Sequence, residues 1–425
     1  MENTSEEIPA QQSSSSIMQL IRSMGPGIMM AAAAVGGSHL VASTQAGAIY
    51  GYQLALLILL VNLFKYPFFR AGIQYTMGTG ESLVEGYAKM GKSYLWLFVL
   101  LCVFSAIINT AALLLFSASL LGYFIPFELS AITLCCIVLI TCLAILFAGH
   151  YKALDGLSKA IMAVLTVATV IAVIIAAGKP VQPAADFVSP SPWSLAAIGF
   201  IVVTMGWMPA PIEISSLTSM WLKSQRRYQN VTSKSALFDF NVGYIGTALL
   251  AVVFLALGAL VLHGSGVELS KSGAGFSHQL IGLYATTIGE WSRYLIAVIA
   301  FFCIFGSTIT VIDGYARVIA ESQRLLRQQA ELNPKITQNW MIAISALALG
   351  IIVFWAGALI PMLDFAMIMA FITTPFFALL NYILVSRTQL PAELALSRSQ
   401  NWLSISGLIY LFGFLALFVW WKWLM

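Results

Sequence analysis

Two short stretches carry the residues best able to do chemistry, and both lie inside long apolar runs. One is Gly36-Gly37-Ser38-His39; the other is Met205-Gly206-Trp207-Met208-Pro209-Ala210-Pro211-Ile212-Glu213. The His39 imidazole and the Met208 thioether are borderline and soft metal ligands, and Glu213 adds a carboxylate. With carbonyls freed near Val35 and Met205, the set His39, Met208 and Glu213 makes a possible metal site. The same stretches also suit an anion. Helix N-termini expected near Ser38 and Ala210 would each present free N–H groups and about half a positive charge. Ser38 and His39 are further donors, and a small planar anion such as bicarbonate or a carboxylate fits that field. Glu213 then has three open roles: ligand, proton site, or acid that satisfies a helix N-terminus.

Three more charges fall where lipid should be. Lys65 lies well inside an apolar run, and a charge at depth costs about 2.5–3.5 kcal/mol on insertion scales. It is expected to face the bundle as a gating or coupling group, with snorkelling toward the cytoplasm as the competing reading. Asp313 and Arg317 are four apart on one helix face, which suits an ion pair or an inner gate. Trp207 reads as a gate over the site or as packing. No His-Glu-x-x-His or Gly-x-Ser-x-Gly pattern occurs, which argues against an enzyme. The five cysteines all sit in apolar runs without metal or disulfide spacing. No cofactor is expected.

The elements that position these residues follow from composition. The chain has 425 residues, 60% hydrophobic and 9% charged, with mean hydropathy +0.90. Soluble chains carry roughly 45–50% apolar and about 25% charged residues. A cytosolic enzyme, a nucleic-acid binder and a disordered scaffold are excluded together, and the formal charge of +4 is too dispersed to attract nucleic acid. The expected fold is an all-α polytopic membrane protein. A crossing needs about 20 apolar residues, which gives eleven spans, near 25–49, 53–76, 93–123, 129–148, 153–178, 194–222, 235–262, 290–316, 338–358, 360–385 and 402–424. Residues 1–24 read as a disordered cytoplasmic tail. With the N-terminus inside, 17 of the 21 Lys and Arg residues fall on the cytoplasmic side, leaving Lys179, Lys271, Arg293 and Lys422 outside. The C-terminus is then outside. A bacterial inner membrane is the expected location, with the lipid bilayer, a small ionic substrate and H⁺ as partners.

Most spans are smooth; the first and sixth are interrupted. Paired glycines cost about 1 kcal/mol each in a helix, and each proline removes a backbone donor. Irregular backbone at membrane depth is tolerated only where it is buried in protein or lines a cavity. The breaks lie five spans apart. Five is odd, so a five-helix repeat recurs upside down, and matched breaks in two halves are the best sequence pointer to a transporter site. The halves are expected at 25–178 and 194–385, with 402–424 as an extra helix.

These residues also carry a resemblance. Gly36-Gly37-Ser38-His39-Leu40, Gln45-Ala46-Gly47-Ala48 and Tyr50-Gly51-Tyr52 resemble the first helix of the natural-resistance-associated macrophage protein (NRAMP) family. Thr79-Gly80-Glu81, Met208-Pro209, and Ser307-Thr308 to Tyr315-Ala316 resemble later family segments. The resemblance implies an inverted five-plus-five repeat with discontinuous helices 1 and 6. It also implies a divalent metal ion as cargo, moved with H⁺. Where the family has Asp-Pro-Gly-Asn this chain has Gly36-Gly37-Ser38-His39, and where the family has Met-Pro-His it has Met208-Pro209-Ala210. A small anion is the alternative cargo, and a non-transporting membrane sensor is a second alternative.

Overall fold

The computed structural model describes residues 24–149, 151–179, 187–355 and 357–423. Nearly all of the expected tail, and His150, lie outside the described residues. Fifteen α-helices follow in order: α1 Pro26–Ala34, α2 Thr44–Tyr50, α3 Ala55–Thr79, α4 Leu83–Met90, α5 Lys92–Gly122, α6 Ala131–Phe147, α7 Tyr151–Ala177, α8 Ile198–Gly206, α9 Ile214–Gln225, α10 Ser233–Val261, α11 Gly273–Ile288, α12 Ser292–Leu326, α13 Pro334–Trp355, α14 Leu359–Arg387 and α15 Arg398–Trp423. No strand occurs among the described residues.

Eight of these helices are long and apolar enough to cross a membrane alone, and the bent first span makes nine. The shorter apolar α6, and α8 continued by α9 across its break, fill the fourth and sixth places in the expected order of eleven. In the first span a π turn, Ser38–Ser43, joins α1 to α2, and the two halves are bent by 46°. Turns of this width are frequent at functional sites.

Two helices lie where the sequence reading placed only loop. α4 opens with a capping box, in which Ser82 accepts from the Glu85 N–H and Glu85 accepts from the Ser82 N–H. α11 starts at Ser272, whose hydroxyl caps Gly275, and its 16 residues span only about 24 Å. It is only one residue shorter than α6, but it carries Ser277, His278, Gln279, Thr286 and Thr287, so a test for apolar runs passes over it.

The first span packs along α10 from end to end. Gly27 and Gly243 meet backbone to backbone, and so do Gly47 and Gly258 with the opposing Leu255 and Thr44 carbonyls. A Cβ at any of the four would collide with main chain, and small residues at such crossings let membrane helices approach closely. Asp239, near the start of α10, accepts from the Gly27 N–H at 2.7 Å and the Ile28 N–H at 3.2 Å. It therefore supplies the anionic cap that the residues flanking α1 do not.

Candidate substrate site between two broken helices

The two breaks face each other. Ser38 Oγ lies 2.5 Å from the Ala34 carbonyl oxygen in its own span and 3.3 Å from the Pro209 carbonyl oxygen in the other. Between them is a cavity of about 40 Å³, lined by Ala33, Ala34, Gly37, Ser38, Asn109, Leu113, Trp207, Pro209, Ala210, Pro211, Ile214, Val311 and Tyr315. That is room for roughly three water-sized occupants at about 10–15 Å³ each.

The glycine pair exists because its side-chain space is already taken. A Cβ on Gly37 would lie 2.5 Å from Trp207 Cζ3, and one on Gly36 would lie 2.8 Å from Ser307 Oγ. The Cys303 thiol donates to the Val35 carbonyl at 3.1 Å, satisfying an acceptor that the break releases. Trp207 thus walls the cavity with a packed ring.

A directional hydrogen-bond chain runs from that ring into the protein. Trp207 Nε1 donates to Asn109 Oδ1 at 3.0 Å, Asn109 Nδ2 to the Tyr315 hydroxyl at 2.9 Å, and that hydroxyl to Glu213 Oε1 at 2.9 Å. An indole N–H only donates, so the Asn109 oxygen must face it. The amide nitrogen then turns to Tyr315, whose proton is left for Glu213. The chain ties α8, α5, α12 and the start of α9 together.

Glu213 occupies the N-cap position of α9, but its side chain accepts no N–H of the first turn. The cap role does not appear in the side-chain geometry; the carboxylate is turned to Tyr315. Its second oxygen, Oε2, and the Ser105 hydroxyl are buried and outside hydrogen-bond geometry, though Ser105 is close enough to act on the carboxylate. Lys65 is fully buried, as its depth required. Its ammonium donates to the carbonyls of Met205 at 2.7 Å, Gly206 at 3.1 Å and Ala210 at 3.5 Å.

The residues named as possible metal ligands do not converge. His39 Nε2 faces the Thr247 carbonyl at 2.9 Å and Nδ1 meets Ser38 Oγ at 2.7 Å, while the ring edge packs on Phe254. Met208 Sδ accepts a weak bond from Ser43 Oγ at 3.9 Å, and Glu213 binds Tyr315. None of the three lines the cavity, whereas Gly37, Ser38, Trp207 and Ala210 do. Met205 and Gly206 do not line it either; their carbonyls are taken by Lys65. Asp313 and Arg317 form the i,i+4 pair with Nε–Oδ distances of 2.8 and 2.7 Å, and Asp313 is buried. They too lie off the cavity lining. Sequence reasoning missed Asn109 as a site residue and quoted Tyr315 only as part of a motif. The available signal was an Asn-Thr pair in the middle of an otherwise apolar span.

The family profile described as natural resistance-associated macrophage protein-like matches residues 27–421. An uncharacterized protein of Pasteurella multocida (strain Pm70) is 54% identical over 401 residues, 93% of this chain and 91% of that protein. Among solved structures, a mutant of the Eremococcus coleocola manganese transporter superposes with TM-score 0.71 at 13% identity, covering 98% of this chain and 89% of its own. A nucleobase-cation-symport-1 family transporter, closed on bromovinylhydantoin, superposes with TM-score 0.60 at 12% identity, covering 94% and 92%. At these identities the two structures show a shared fold.

Proposed function

Because the chain belongs to the natural resistance-associated macrophage protein-like family, a family of membrane transporters, we propose that it is a secondary active transporter working by alternating access. Its cargo is a small ion held in the cavity between the two breaks. The observation that carries this reading is the meeting of two interrupted helices, one from each half of the chain, around one small cavity. Broken helices paired in this way are how such transporters build a binding site near the bilayer midplane.

Family membership favours a divalent metal ion, moved with H⁺, and the likeness of fold to a manganese transporter agrees with it. In that reading Ser38, Asn109, Tyr315 and freed carbonyls offer oxygens to the ion. His39 and Met208 would have to release Thr247 and Ser43 to reach it. Glu213, one hydrogen bond behind Tyr315, is the group placed to take up the coupled proton.

One observation favours the second reading, a small anion such as bicarbonate or a carboxylate. Among the cavity-lining residues none is acidic. Gly36 stands where the resemblance expects an aspartate, and the Lys65 charge lies against Met205 and Gly206, next to the cavity wall. We assign the N-terminus to the cytoplasm, the C-terminus to the outside and the protein to a bacterial inner membrane, on the distribution of Lys and Arg. Residues 25–178 and 194–385 are the two repeats of this reading.

Flux into proteoliposomes tests it. Uptake of Mn²⁺ or Cd²⁺ with acidification of the lumen supports the metal reading. Accumulation of bicarbonate or a small carboxylate without added metal supports the anion. Saturable binding with no flux of either would leave a sensor.

A further inference from the structure

An α-helix leaves its last four carbonyls without intrahelical donors, and they gather about half a negative charge. Where such a helix ends inside a membrane, those carbonyls must meet a donor or a cation. In transporters built on broken helices, half-helix C-termini and unwound carbonyls commonly coordinate the coupling cation. Here α8 ends at Gly206. Two of its last carbonyls, Met205 and Gly206, converge with that of Ala210 from the unwound stretch on one point, and that point is Lys65 Nζ. An ammonium has three N–H donors and no acceptor; three carbonyls use it completely. Lys65 has no exposed surface, and Glu213 is near enough to balance its charge. Lys65 does not line the cargo cavity; the cage adjoins it through Ala210, which belongs to both.

We propose that this cage is a monovalent-cation site of the fold whose occupant is covalently supplied, the Lys65 ammonium, so that no dissociable alkali cation binds there. A potassium or alkylammonium ion has the size and charge to replace the ammonium once the side chain is removed. The inference concerns no cargo, and its test needs none.

The experiment is the thermal unfolding of purified full-length protein in detergent, titrated at constant ionic strength with KCl, NaCl or propylammonium chloride against N-methylglucamine chloride. Wild type should show no cation-specific shift. Lys65→Ala should melt lower and recover with potassium or propylammonium, saturably, by about 2 °C or more. Lys65→Met, which keeps most of the stem volume, should respond to the small ions and not to propylammonium. In Lys65→Ala/Glu213→Gln the response should persist, because the carbonyls hold the ion. Four results would overturn the proposal: a saturable alkali-cation response in wild type; folded Lys65 variants indifferent to every cation; a response that vanishes with Glu213→Gln; or Lys65 variants that cannot be recovered folded even with these cations present throughout purification.

Discussion

Replacing Gly37 by alanine adds one methyl group, and the structure says what that methyl meets. Its carbon would sit 2.5 Å from Trp207 Cζ3 and 3.1 Å from Cε3. Ordinary contact begins near 3.4 Å, so the ring must retreat by about 1 Å, an overpacking change of the kind that typically costs 1–3 kcal/mol. The indole cannot retreat freely, because Nε1 is bonded to Asn109 Oδ1 at 3.0 Å and the ring is buried. Breaking that bond leaves a buried amide oxygen unsatisfied, at about 1–3 kcal/mol. The expected loss for Gly37→Ala is therefore about 2–6 kcal/mol, together with loss of flux, since the displaced ring lines the cavity. Gly36→Ala is the internal control. Its methyl meets the Ser307 hydroxyl at 2.8 Å, a small group that can rotate away, so about 1 kcal/mol is expected. Melting of both variants in detergent, with flux in proteoliposomes, measures the difference. Trp207→Leu should partly restore the stability of Gly37→Ala by making room. Equal effects for the two glycines, or no relief from the second substitution, would refute the steric argument.

Tyr315→Phe removes the donor to Glu213 and the acceptor for Asn109; about 1–3 kcal/mol of stability should be lost, and a shift in the pH dependence of flux would mark Glu213 as the coupled group. Asp239→Ala uncaps α1, for which the expected loss is about 1–2 kcal/mol in the same melting assay; an unchanged melting point would mean that the first turn finds other acceptors. Outside the membrane, burial tends to raise the pKa of Glu85, but its hydrogen bonds to Lys223 and Ser82 hold it below the ordinary carboxylate value. A lowered folded-state pKa gives stability that is complete above the unfolded value and is lost as pH falls through the folded one. Lys223→Met should therefore flatten the acid limb of the stability profile while leaving less stability at neutral pH, and an unaltered limb would contradict this. Spin labels at Ile49 and Leu262 should keep their separation with and without cargo, whereas labels at Ile49 and Trp221 should not; a constant second distance would be the contrary finding.

The order of the apolar helices, and both breaks, could be read from apolar run length, paired glycines and the Met208–Pro211 stretch. So could the depth of Lys65. What could not be read is which way each polar side chain turns, because the deciding partner is far away in sequence. His39 is oriented by Thr247, 208 residues on, and Glu213 by Tyr315, 102 residues on. Both look like ligands in their local context, and both are engaged by neighbours that no periodicity predicts. Asn109 was hidden for the opposite reason, as one polar group in a helix that reads as lipid-facing throughout. The Ser82-x-x-Glu85 capping box was legible but sat in a stretch assigned to loop. α11 was passed over because its polar residues break the apolar run.

The contacts along α10 make the two breaks mechanically unequal. Asp239 and Gly243 hold the N-terminal half of the first span, Thr247 holds His39 at its break, and Gly258 holds the C-terminal half. One straight helix thus splints the fracture at three levels. The sixth span is held by different neighbours on the two sides of its break, α8 mainly by α14 and α9 mainly by α3, and Lys65 of α3 pins the break itself through three carbonyls. The first break is thus braced along its length by a neighbouring helix, and the second is clasped at one point by a single side chain.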